Sequence, residues 1–413
     1  MQYSPLKSDI LSTLSYFHIF QYPLSDLEIW KMLYHENPPS PRNTENSGQL
    51  QWSFGVTSPN SQSFGEASKK NPQEKKLLTG QATKQRNNTP HHAVSLMEIK
   101  QAVNELKQAG IVKEKNGFYW INQLTDAGDN SNCRLQENPA EIRMERARIS
   151  ENKYKKALRI IKILKCIPFI NMIAVCNSLS YKNSRKENDI DLFIITAAGN
   201  IWTTRLMAVG LLKLMRLRPT EKNTKNKICA SFFISEDGMD LNNIQIHKSK
   251  FRQIAGSRDP ALPTGRSGPL TRPQKFELLL DAPDIYLLYW IATLFPIYDK
   301  KETYAKFIKE NRWIKDWLQN WEQQKNHARS IKKNKILTIP FFIISLFIPE
   351  FFARKIQMLI MPKHLKNLAN IDTSVIINDS MLKFHDKDRR GEYYNAWQKL
   401  KNRALHSSPL NER

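Results

Sequence analysis

Cysteine is scarce: the 413 residues contain four, Cys133, Cys166, Cys176 and Cys229, and none stands in C-x-x-C spacing. That excludes a disulfide framework and a thiolate zinc site as organising features. Cys166 and Cys176 lie in apolar runs, where a free thiol behaves as a small hydrophobe. Histidines such as His18 and His385 stand alone without metal-ligand spacing, so packed or surface roles are expected. No internal repeat is present. The opening MQYSPLKSDILSTL lacks the basic start and apolar stretch of a signal peptide, so a cytoplasmic location is expected. An apolar run long enough to span a bilayer, about 20 residues, is also lacking at Ile336 to Ile348, which Lys335 and Glu350 bound and Pro340 interrupts. A buried helix is the expectation there. Peripheral membrane contact through 336 to 348 is the alternative, kept open by Lys332, Lys333, Lys335, Arg354 and Lys355.

Acidic residues are in deficit: 39 Asp and Glu face 63 Lys and Arg, a net charge of +24. Such an excess concentrates polyanions, whether nucleic acid, nucleotides or an acidic membrane surface. The competing reading is solvated charge on the polar faces of helices. Hydrophobic residues at 40% suffice for a core, and the length allows two or three domains.

Residues 8 to 34 carry apolar positions at helical spacing, interrupted at Tyr22-Pro23, and predict two short helices with Ser25 capping the second. From about 38 to 92 the chain is polar and rich in Ser, Asn, Gln, Gly, Pro and Lys, a composition that predicts disorder. Ser95, with Glu98 three residues on, opens a third helix that Gly110 stops. Two β-like runs around Asn116-Gly117 then predict a hairpin. Three helices and a hairpin over 1–122 read as a winged helix-turn-helix. A linker (123–140), a core (141–255), a flexible loop (256–274) and a helical region (275–413) complete the expected order. Within the core, a charged helix from Glu141 to Lys165 precedes strands at Ile167 to Val175, Ile190 to Thr196 and Ile228 to Ser235. Further on, helices are expected over Asp284 to Phe295, Glu302 to Trp321 and Glu392 to Arg403, with Trp313, Trp317 and Trp321 as a buried stripe.

The chemistry concentrates in IAVCNSLSYKNSRKENDIDLFII. An apolar strand leads into Asn177-Ser178, and a polar connection leads to Asp189-Ile190-Asp191 at the start of a second strand. Alternation along a strand puts both carboxylates on one face. Adjacent carboxylates repel, and a divalent cation with oxygen ligands, commonly Mg²⁺ beside substrate phosphates, relieves this. A turn with free N–H groups and a hydroxyl suits terminal phosphates.

Val175-Cys176-Asn177-Ser178 followed by Asn188-Asp189-Ile190-Asp191-Leu192 resembles the motif of the polymerase β-type nucleotidyltransferase superfamily: apolar, Gly, Gly or Ser, about ten residues, Asp, apolar, Asp or Glu. The resemblance implies an α+β fold with a central mixed sheet flanked by helices. It implies that Asp189 and Asp191 bind Mg²⁺ and serve catalysis, and that Ser178 contacts the phosphates of an NTP whose nucleotidyl group passes to a hydroxyl acceptor. Arg205 and Lys227 stand where they would reach phosphates, against a reading as surface charge. The chain departs from the family twice. Asn177 replaces the first glycine, although Asn tolerates positive φ best among the other residues. The strand ICASFFIS lacks the third carboxylate, for which Glu236, Asp237 or Asp240 beyond its end would have to serve.

Thr204-Arg205-Leu206 and Asn311-Arg312-Trp313 also resemble features of bacterial nucleotidyltransferase-domain proteins with an N-terminal winged helix. That resemblance implies architecture and no substrate. The third helix offers Lys100, Gln101, Asn104, Lys107 and Gln108 to nucleic acid and the wing offers Lys113 and Lys115. The wing aromatics Phe118, Tyr119 and Trp120 support packing or a protein partner instead. A catalytically degenerate, nucleotide-sensing DNA-binding regulator is therefore the alternative to an enzyme.

Overall fold

Two of the first three helix starts follow from reciprocal capping. The computed structural model describes residues 3–36, 94–122, 138–220, 223–246, 283–323 and 339–406, all within one compact unit. The polar segment at 38–92, most of the 123–140 linker, the 256–274 loop and Lys332, Lys333 and Lys335 fall outside these residues. The first three helices are α1 (Pro5–Ile19), α2 (Asp26–Lys31) and α3 (Leu96–Gln108). Ser25 with Glu28, and Ser95 with Glu98, each form a capping box that satisfies two backbone donors. The hairpin β1 (Val112–Lys115) and β2 (Phe118–Ile121) turns through Asn116 and Gly117 at φ of 55° and 76°. Positive φ at both positions is what a two-residue hairpin turn requires.

Next come α4 (Pro139–Leu164), β3 (Ile170–Val175), α5 (Asn177–Ser180), β4 (Ile190–Thr196), α6 (Ile201–Leu214) and β5 (Ile228–Ser235). The helical region expected over 275–413 is in fact mixed. It holds α7 (Ile285–Thr293), β6 (Phe295–Asp299), α8 (Thr303–Glu310), α9 (Ile314–Trp317), α10 (Ile339–Leu346), α11 (Glu350–Ile360), α12 (Lys363–Leu368), β7 (Val375–Ile377), β8 (Met381–Phe384) and α13 (Arg390–His406). Three of its strands join β3, β4 and β5 in a six-stranded sheet of order β6-β3-β4-β5-β8-β7. β4 and β5 run parallel, and the other neighbours are antiparallel. β6 contains Pro296, tolerable because this strand lies at the sheet edge, and β7 and β8 are too short to show a period.

The single helix expected over Glu302 to Trp321 breaks at Asn311. Its buried side chain accepts from Leu241 N at 2.9 Å and donates to Met239 O at 2.7 Å and Phe307 O at 2.8 Å. Trp321 is buried and donates to Ala292 O at 2.9 Å, while Trp313 and Trp317 pack partly buried on the same core.

The sheet has two covered faces. On one, Met172, Ala174, Phe193, Ile195, Phe232 and Ile234 share a core with α1, α3, α7, α8 and α13. Trp397 of α13 donates to Ser12 O of α1 at 2.9 Å, and Tyr289 of α7 stacks on Tyr16 at 4.3 Å. The N-terminal helices are thus continuous with this core. On the other face, Ile173, Val175, Leu192, Ile194 and Phe233 pack under α4, α6 and Ala353 of α11. With that face largely occupied, among the described residues 339–348 only Phe341 and Ile348 pack partly against it, and the burial expected of Ile336 to Ile348 mostly does not occur. Phe342, Ile343, Ile344, Leu346 and Phe347 are exposed, whereas Ser345 is the buried residue of α10. No described helix is long and apolar enough to cross a membrane.

Candidate active site

The site begins at the end of β3. The chain leaves the sheet at Cys176, and Asn177 starts α5 at φ 55°, in the left-handed region that asparagine tolerates better than most residues. The Asn177 amide donates to Asp191, and its Oδ1 accepts from the Tyr286 hydroxyl at 3.2 Å. Ser178 Oγ accepts from Asn188 Nδ2 at 3.2 Å and lies 3.4 Å from Ser184 Oγ. The first N–H groups of α5 have no intrahelical acceptor, because it is a first turn.

Asp189 immediately precedes β4, and Asp191 stands opposite Cys229 in the parallel β4–β5 ladder. One ligand atom from each of Asp189, Asp191 and Cys229 lies within 4.8 Å of the others, a set able to hold a metal ion. Burial and the neighbouring Asp189 charge raise Asp191 from 3.8 to about 7. Asp189 is also raised, chiefly by burial, against the pull of its backbone hydrogen bond and of Lys153. Burial and then the two carboxylates push the Cys229 thiol up, so it stays protonated, with its single S–H within donating reach of either carboxylate.

Lys153, buried on α4, donates to Asn188 O next to the pair. Burial lowers its pKa while Asp189, Glu187 and Asp191 oppose this. Asp191, Asn177 and Ser178 open onto a cleft of about 700 Å³. Arg146, Arg185, Phe20, Tyr286 and Tyr393 also line it. Arg146 is buried and donates to Phe20 O at 2.9 Å and Asn183 Oδ1 at 3.1 Å. Tyr286 and Tyr393 stack at 5.4 Å, forming a flat aromatic wall.

The other expected residues lie elsewhere. Glu236 and Asp237 form a short turn after Ser235, at the far end of β5, roughly 20 Å from Cys229 at the ordinary strand rise. Asp240 follows and caps its own turn at Asn242 N, 2.8 Å. Neither end residue completes the acidic pair. Arg205 is buried in α6, donates to Gln357 Oε1 at 2.6 Å and lies 4.2 Å from the Phe384 ring centroid. Lys227 donates to Arg216 O at 2.8 Å and lines a separate basic hollow. Of the basic residues on α3 and the β1–β2 hairpin, Lys107 pairs with Glu114 at 2.9 Å, Lys100 with Asp26 at 3.4 Å and Lys115 with Glu141 at 2.8 Å.

Sequence reasoning missed Cys229, Lys153, Arg146 and Tyr286. The helical signal for two of them was present: Arg146 and Lys153 stand seven residues apart in the buried stripe of α4 with Ser150 and Ala157, and a cation there needs a polar reason. Cys229 carried no signal until β5 was registered against β4. No protein-family model, curated protein or solved structure matches the chain.

Proposed function

We propose that this chain is a nucleotidyltransferase that passes a nucleoside monophosphate from an NTP to a hydroxyl on a protein, nucleic acid or small molecule. The observation that carries this reading is the convergence of Asp189 and Asp191 within 4.8 Å, with Cys229, beside the Asn177-Ser178 turn. The donor set fits a divalent cation: two carboxylates supply the oxygen ligands that Mg²⁺ prefers, and their mutual repulsion is what a cation relieves. When bound, such an ion polarises a phosphoryl oxygen.

The remaining roles belong to the chain. Ser178 Oγ and the first N–H groups of α5 receive terminal phosphate oxygens. Arg146 and Arg185 balance phosphate charge from the cleft wall, and the Tyr286–Tyr393 stack offers a surface for the base. Asn177 holds Asp191 in place and is itself held by Tyr286.

A second reading, a nucleotide-binding regulator without turnover, is favoured by one observation: Cys229 occupies the ladder position opposite Asp191, and a protonated thiol is a poor ligand for Mg²⁺. The test uses NTP labelled at the α-phosphate, with Mg²⁺ or Mn²⁺, beside calorimetric titration of unlabelled NTP. Label transfer that Asp189→Asn and Asp191→Asn abolish supports the enzyme. Binding without transfer supports the regulator, and neither binding nor transfer refutes both.

A further inference from the structure

Helices α10 and α11 present an apolar surface that the sheet does not use. Leu346 is 64% exposed, Phe347 80%, Leu359 80% and Ile360 67%, with Phe351 and Phe352 also exposed. Single exposed apolar residues are ordinary, but so many on two helices consecutive in the chain and the turn between them mark an interaction surface. Along the segment itself the charge pattern is one-sided, with Asp379 and Asp386 from outside it paired to Arg354 and His364. Between Ile339 and Leu368 the only carboxylate is Glu350, while Arg354, Lys355, Lys363 and Lys366 are cationic.

Glu350 is turned inward. Its two oxygens accept from Trp202 N at 2.6 Å and Thr203 N at 2.9 Å, at the N-terminus of α6, where negative charge is favoured. Arg354 pairs with Asp379 at 3.0 Å. The ammonium groups of Lys355 and Lys366 lie along the apolar surface: one is 4.3 Å from the Phe351 ring centroid, and the other donates to Leu359 O at 3.4 Å. Long basic side chains arranged this way keep their stems on apolar groups and their heads at a polar boundary.

We propose that this surface docks in the plane of a lipid bilayer that carries anionic headgroups. Among the described residues neither helix is long enough to cross it, because 8 and 11 residues reach roughly 12 and 16 Å against a core of about 30 Å. A second copy is a poorer occupant. Two-fold packing of the surface on itself brings like cations together, whereas an anionic leaflet neutralises them. Ala353 of α11 belongs to the core on the sheet face opposite Phe193 and the acidic cleft. Docking therefore leaves the cleft free, and the inference stands without the nucleotide reading.

The experiment floats the full chain with vesicles of phosphatidylcholine and phosphatidylglycerol, and with phosphatidylcholine alone. The chain is expected to rise with the anionic vesicles at low salt and to be released as salt screens the attraction. Lys355→Gln with Lys363→Gln and Lys366→Gln lowers the partition on the order of 100-fold, at about fivefold per lysine. Phe347→Ser with Leu359→Ser and Ile360→Ser abolishes flotation while leaving the circular dichroism and melting curve unchanged, since these side chains are exposed. Wild-type chain that stays unbound, or an apolar triple variant that floats normally, overturns the proposal. Equal flotation on phosphatidylcholine alone overturns the headgroup requirement. A non-floating dimer that the apolar variant splits assigns the surface to a second copy.

Discussion

Around Arg390 the buried charges alternate in sign: its guanidinium bonds Asp284 at 2.9 Å and Asp388 at 2.7 Å, and Lys383 reaches Asp388 at 3.4 Å. Around Asp191 half-buried charges of one sign repeat, with Asp189 alongside and a neutral thiol between strands. The two clusters therefore titrate in opposite directions. Burial works against the Asp388 carboxylate, but the hydrogen bonds and charge of Arg390 hold it at about 2. Burial and Asp189 together lift Asp191 to about 7. A buried charge whose partners are all supplied by the chain is architectural. One that faces its own sign beside an open cleft calls for a partner from outside, and that difference separates the candidate site from a structural network.

Breaking the alternating cluster is expected to have the largest effect. Arg390→Met leaves Asp284 without a cation and Asp388 with Lys383 alone, and lowers unfolding stability by about 3–5 kcal/mol in urea titration. Because Asp284 also caps α7 through Leu287 N at 3.0 Å, the Tyr286 wall of the cleft should loosen with it. Asp191→Asn is expected to do the reverse. The proposed nucleotidyl transfer is expected to fall by on the order of 1000-fold, while the melting temperature holds or rises, because a repulsion has been removed. Loss of stability alongside activity would place Asp191 with the architectural charges.

Metal removal sharpens the same contrast. In the wild-type chain, Mn²⁺ or Mg²⁺ at about 100 times its dissociation constant should stabilise by about 2.7 kcal/mol, and chelation should reverse it. Asp191→Asn should show no such shift. The pH dependence also divides the clusters. Asp191 has its folded pKa raised from 3.8 to about 7, so the apo chain loses stability as pH rises through that window. Asp388 is depressed from 3.8 to about 2, so its contribution is present above 3.8 and lost as pH falls toward 2. Denaturation curves across pH in D191N and D388N should remove one slope each. Smallest of all, Cys229→Ser should leave Mg²⁺ affinity within about threefold while weakening Cd²⁺ and Zn²⁺, which favour sulfur; equal losses for all ions would make Cys229 a packing residue.

Much of the first half of the chain was legible because its signals are local. The capping boxes at Ser25 and Ser95, the Asn116-Gly117 turn and strands β4 and β5 depend on neighbours in sequence. Strands β6, β7 and β8 were not legible: Pro296 disguises one, and the others run for only three and four residues. Asn311 broke an expected helix because its amide bonds reach Met239 and Leu241, far away in sequence.

The sequence by itself determined that Asp189 and Asp191 share one side of a strand and that Asn177-Ser178 precedes them, since strand alternation and turn propensity act over a few residues. Tertiary structure alone decided that Cys229 completes the group, that Glu236 and Asp237 lie too far to do so, that Arg205 serves packing, and that α10 remains uncovered. Register between strands far apart in the chain and competition for a sheet face are set by contacts between distant segments, beyond the reach of a local pattern.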